Sequence, residues 1–147
     1  MTEQQVYERI DVKRGFEVRK YAPHVVAEVT MVGAFERAGN AGFGPLVSYI
    51  SGRNRSGTKV AMTAPVIQEP LDEPMTYHVS FVMPANSTLD DLPDPGGNGV
   101  SLIEVPETLA AVSMYSGRWT EDNYNKHVAR LIANIEDAGY TVVGKPR

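Results

Sequence analysis

The sequence predicts an α+β fold, a largely antiparallel sheet carrying two amphipathic helices. Three observations support this. Apolar residues alternate with polar ones through most of the chain. The period changes twice, at Phe43–Leu46–Val47–Ile50 and at Tyr124–Val128–Leu131–Ile132–Ile135, to the i, i+3, i+4, i+7 spacing of a helix. The elements read in the order strand–helix–strand–strand, then strand–strand–helix–strand.

The elements follow in order. From Tyr7 to Gly33 the chain reads as strands, interrupted at Pro23; Val25, Ala27, Val29 and Met31 form one uniformly apolar face. The first helix is expected to begin near Ala34, with Gly39, Gly42, Gly44 and Pro45 weakening its first half. Its firm part starts at Pro45, and Gly52 is its stop. Strands follow at about 59–68 and 76–83, then a Pro-, Gly- and Asp-rich loop from Pro84 to Gly99. Further strands are expected near 100–105 and 109–117. Thr120 is the N-cap of the second helix, with Glu121 and Asp122 in its first turn; Gly139 ends it, and Tyr140–Lys145 reads as a closing strand. Each half then holds one helix among strands, a pattern compatible with an internal pseudo-duplication.

At 147 residues the chain fits one domain, residues 1–147, large enough for a real core. The net charge of −4 argues against a general nucleic-acid binder. The absence of cysteine removes disulfides, thiolate catalysis and iron–sulfur clusters. No signal-peptide h-region and no membrane-length apolar run is visible, so a soluble, cytoplasmic protein is expected. Oligomeric state is not legible.

Two glycine-rich stretches imitate phosphate loops. Gly52-Arg-Asn-Arg-Ser-Gly57-Thr58-Lys59 reverses the Lys and Thr of the G-x-x-x-x-G-K-[ST] loop and lies after a helix and before a strand, the wrong order for a helix dipole to hold phosphate. Gly39–Gly44 reverses the dinucleotide pattern and lacks a βαβ unit. His24, His78 and His127 show no metal-ligand spacing. No serine has a nucleophile-elbow context, and nothing in the sequence requires an enzyme. Met31, Met62, Met83 and Met114 fall in expected strands, where they serve either as core or as a soft wall for a planar ligand.

The blocks FEVRKYAPHVVAEV (16–29), GFGPLVSYISGRN (42–54), KVAMTAPVIQE (59–69), VSFVMP (79–84) and AVSMYSGRW (111–119) resemble the SOUL haem-binding protein family, in family order and over nearly the whole chain. The most specific signature is Tyr49-Ile50-x-Gly52-x-Asn54 followed by Met62-Thr63-x-Pro65-Val66. The resemblance implies a distorted antiparallel β-barrel or saddle-like sheet with two helices, related in fold to effector-binding domains for amphipathic small molecules. It implies a non-covalent haem or tetrapyrrole ligand and a carrier, buffer or sensor role, with an effector-binding module for other amphipathic ligands as the alternative.

In one branch the porphyrin lies in an apolar groove beside the first helix. The resemblance places Met62 at that groove; Phe43, Leu46, Val47, Ile50, Met62 and Met83 are the candidate wall here, and Arg53, Arg55 and Lys59 the candidate propionate partners. The family methionine at the position of Val60 is absent. A second branch has an axial histidine where this chain has Lys20; a protonated lysine offers iron no lone pair. His24, just after Pro23, is the remaining candidate metal ligand.

Overall fold

The computed structural model describes residues 2–147. Nine strands and two helices are formed: β1 (Glu3–Gln4), β2 (Tyr7–Lys13), β3 (Phe16–Tyr21), β4 (His24–Val32), α1 (Phe35–Ile50), β5 (Thr63–Ala64), β6 (Val66–Pro70), β7 (Thr76–Val82), β8 (Ser101–Val105), β9 (Thr108–Val112) and α2 (Glu121–Asp137). The α+β reading holds, with strands arranged as a curved, open saddle rather than a closed barrel. One sheet has the order β6-β7-β4-β8, a second β2-β3-β9, and β1 pairs with β5 in parallel.

Each large sheet carries one helix. Val25, Ala27 and Val29 of β4 and Val79 and Phe81 of β7 share one sheet face and bury it against Leu46, Tyr49 and Ile50 of α1. Phe16 and Val18 of β3 do the same against Ile135 of α2. In both cases an antiparallel hairpin and a third antiparallel strand form the floor: β6–β7 with β4 under α1, and β2–β3 with β9 under α2. The second unit therefore draws its hairpin from the start of the chain and its helix from the end, and not from two consecutive halves.

The first helix is continuous from Phe35, through all of its glycines and Pro45. The reason is packing: Phe35, Ala38, Gly42, Leu46 and Tyr49 make one buried stripe, and tertiary burial outweighs local propensity. Gly42 lets the helix approach β7 closely, since a Cβ there would lie 2.7 Å from Val79 Cβ. Both helices end in the same device. Gly52 N–H donates to Tyr49 O and Arg53 N–H to Ser48 O; Gly139 N–H donates to Glu136 O and Tyr140 N–H to Ile135 O. Each glycine has the positive φ that this Schellman closure requires, +107° and +87°.

Three strand boundaries differ from expectation. The predicted strand 59–68 is divided, with Lys59–Met62 outside any ladder and Pro65 between β5 and β6, because proline has no amide to donate. The strand expected to Gly117 stops at Val112. Residues 140–147 form no strand. Tyr140 packs edge-on against Phe16 and bonds Asp11, but Val143 beyond it is 96% exposed and nothing buries alternate residues.

The two helices meet at their N-terminal ends. Phe35 packs against Trp119 and Tyr124 at centroid distances of 4.5 and 5.0 Å. Glu36, in the first turn of α1, accepts the Glu121 backbone N–H of α2 at 2.7 Å. Thr120 caps α2 as predicted, accepting from Asn123 N.

Candidate functional site

The C-terminal end of α1 organises the family-like signature. All four terminal carbonyls are engaged: Val47 O by Ser51 N, Ser48 O by Arg53 N, Tyr49 O by Gly52 N, and Ile50 O by Val60 N. Asn54 completes the turn. Its amide donates to Tyr49 O at 3.0 Å and to Thr58 O at 2.7 Å, and its Oδ1 accepts from Thr58 N. The glycine supplies the left-handed turn and the asparagine pins the loop of 52–58 to the helix.

From that anchored end the surface divides along α1. With about 100° per residue and Leu46 at the centre of the buried face, Phe43 and Val47 lie about 60° and 100° to one side. Pro45 and Ser48 lie about 100° and 160° to the other. The first flank looks toward β6, the second toward β8.

The β6 flank is apolar. Phe43 is 43% exposed and rests edge-on over Phe81, at 5.2 Å between centroids. Val66 pairs with Phe81 across the β6–β7 ladder and is 42% exposed. The chain between Val60 and Val66 runs alongside, starting from the bond to Ile50 O, and half-buried Val47, Val60 and Met62 pack on the core there. Exposed Lys59 stands at the helix end, its Cγ 3.7 Å from where a Gly52 Cβ would be. The result is an aromatic and aliphatic shelf with an ammonium at one end.

The β8 flank is a shallow depression open to solvent. A cleft of 490 Å³ is lined by Pro45 and Ser48 of α1, Arg53, Asn54 and Arg55 of the following loop, and Pro95, Gly96 and Asn98 opposite. Arg55 meets Asp94 at 3.4 Å, and its backbone N–H donates to Asp94 O. Arg53 makes no ion pair among the described residues. Tyr49 holds the far wall, its buried hydroxyl donating to Pro93 O at 2.7 Å. Burial, with the nearby Asp94 charge adding to it, raises the Tyr49 hydroxyl above the ordinary phenol range, so it stays a donor.

The residues singled out from the sequence are thus separated. Phe43 and Val47 lie on the β6 flank, Met62 packs on the core cluster, and Lys59 stands beside the helix end; Arg53 and Arg55 line the cleft on the other flank. Leu46, Ile50 and Met83 are core, almost without exposure, because the helical stripe that marks them is the stripe that packs on the sheet. His24 does not face the shelf. It shares its sheet face with Val26 and not with Val25, its Nδ1 contacts Ala22 O at 2.7 Å, and its Nε2 contacts the Gln5 amide at 3.2 Å. Both ring nitrogens are engaged within the protein. Lys20 pairs with Glu8 at 3.5 Å.

Sequence reasoning missed Val66, whose exposure depends on the break at Pro65. It also missed Ser48 and Asn98, brought together across 50 residues by the long loop. Among the described residues no group of three or more His, Asp or Glu side chains is placed to hold a metal ion, and no helix is long and apolar enough to cross a membrane.

A family model described as SOUL heme-binding protein matches residues 2–146. No individual curated protein matches the chain.

Proposed function

Since the chain belongs to the SOUL haem-binding protein family, we propose that it acts as one domain that reversibly carries, buffers or senses haem or another tetrapyrrole, with the macrocycle lying on the β6-flank shelf of α1. The observation that carries this placement is the exposure of Phe43 and of Val66, each next to buried Phe81, with half-buried Val47 and Met62 packed on the same core cluster. A flat apolar ligand gains about 25 cal/mol per Å² of apolar surface it covers, before ordering costs. Met62 adapts to the contour and its sulfur makes favourable contacts with aromatic faces. Lys59 stands where an acidic substituent of the ring would reach the helix end, while Leu46, Ile50 and Met83 form the incompressible floor beneath.

The donor set supports apolar burial over iron ligation, because His24 is engaged elsewhere and Lys20 is ion-paired. Bound haem would supply its own iron chemistry, and this chain's residues would orient the ring and cover one face. The lack of cysteine suits a reducing compartment, and the cytoplasm is the proposed location.

Absorbance titration with haem tests the reading. Phe43→Ala and Met62→Ala are each expected to weaken binding about tenfold, equivalent to about 1.4 kcal/mol, while His24→Ala leaves it unchanged. No Soret change with the intact protein would refute tetrapyrrole binding. Binding lost only in His24→Ala would refute the shelf. Ligand-dependent melting shifts with other amphipathic molecules and none with haem would favour an effector-binding module.

A further inference from the structure

We propose that the β8-flank cleft of α1 is a second, separate site, taking a compact multiply charged oxyanion, a phosphate or polycarboxylate group, and not the propionates of a ligand on the shelf. The inference goes beyond tetrapyrrole binding and rests on different residues.

The body of the helix stands between the two surfaces: Pro45 and Ser48 line the cleft, whereas Phe43 and Val47 belong to the opposite flank. Arg53 and Arg55 both line the cleft, and no lining residue is acidic. Asp94, beside the cleft, forms an ion pair with Arg55 Nε at 3.4 Å, and its Oδ1 accepts from Gly96 N at 2.8 Å. Arg55 is thereby fixed at one edge and Arg53 is left to face an anion. Two arginines against one carboxylate leave the wall positive in a protein of net charge −4. A guanidinium fork matches the paired oxygens of phosphate and carboxylate.

A helix C-terminus ordinarily repels anions, because its last carbonyls point outward unsatisfied. Here every one of those carbonyls already accepts a hydrogen bond, which lessens that repulsion. The Ser48 hydroxyl makes no other hydrogen bond among the described residues and supplies a neutral donor. The wall opposite is held in place by Tyr49 bonding Pro93 O and by Asn98, whose amide contacts Arg53 O at 3.4 Å and whose Oδ1 accepts from Val100 N. The depression, 490 Å³ and open to solvent, is of a size for a small ligand.

The experiment is calorimetric titration of the full chain with inorganic phosphate and, separately, with citrate, at constant ionic strength set by potassium chloride. Saturable binding of either is expected, weakened at least about tenfold by Arg53→Gln, partly retained by Arg53→Lys and unchanged by Phe43→Ala. Response to phosphate alone or citrate alone identifies which oxyanion the cleft takes. No saturable heat with either anion, or equal binding by Arg53→Gln, overturns the proposal. A parallel haem titration separates this site from the shelf: unchanged haem affinity in Arg53→Gln supports two sites, and a matching loss of haem affinity overturns the separation. Failure of haem to bind the intact protein would refute the tetrapyrrole reading and leave the anion result standing.

Discussion

Asn54 joins three backbone groups that would otherwise compete for water: Tyr49 O, Thr58 O and Thr58 N. A net hydrogen bond contributes about 1 kcal/mol, and stranded partners cost more than that average. Asn54→Ala is therefore expected to lower stability by about 2 kcal/mol, read as a shift in urea midpoint with unchanged m-value. It should also loosen the loop carrying Arg53, Arg55 and Lys59, so exchange of the Thr58 amide should accelerate. Asn54 and Gly52 were visible in the sequence as part of a signature. Their division of labour was not, because spacing alone does not say which atom of an asparagine meets which carbonyl. Similarly, a 3.6-residue period finds the buried side of α1 but credits Leu46 and Ile50 with facing a ligand. Only the flanks of that stripe are open, and Phe43 and Val47 lie there.

The two helices were legible as elements, stops and N-cap included, because glycine at a left-handed position and threonine before acidic residues have local physical causes. The contact between them was not legible, since it depends on tertiary placement. Glu36 accepts from Glu121 N and carries the first turn of α1 onto the first turn of α2. Chiefly that backbone donor, followed by its own N–H, holds the Glu36 carboxyl below the usual glutamate range. A carboxyl depressed in the folded state stabilises above its unfolded value, near 4.3, and loses that contribution as pH falls through the depressed value. Stability measured by denaturant titration should therefore decline through this acidic window. Glu36→Gln, which keeps an acceptor oxygen without the titration, should show a smaller decline. An identical pH profile for the variant would exclude Glu36 as a contributor.

Over the whole molecule, strand content and class followed from alternation, whereas the pairing order did not. Alternation identifies faces and says nothing about which hairpin lies beside which strand. The expectation of two consecutive halves missed the arrangement in which β2–β3 serves α2 from the far end of the chain. A closing strand at Tyr140–Lys145 failed for the related reason that strand-like composition forms no ladder without a partner edge. The long-range contact makes a sharp prediction. Phe16 is buried beneath Ile135, so Phe16→Ala should cost about 3–5 kcal/mol. Faster amide exchange should appear in α2, more than a hundred residues away in sequence, before it appears in α1.

That floor beneath α2 also sets a timetable. A ribosome releases Phe16 and Val18 early, yet Ile135, their cover, follows more than a hundred residues later. Throughout synthesis the first hairpin waits with a greasy side uncapped, while α1 and its own strands are already complete. Nascent chains stalled with residue 110 just clear of the ribosome should thus present a finished front unit and a sticky leading edge, the natural point of engagement for a chaperone.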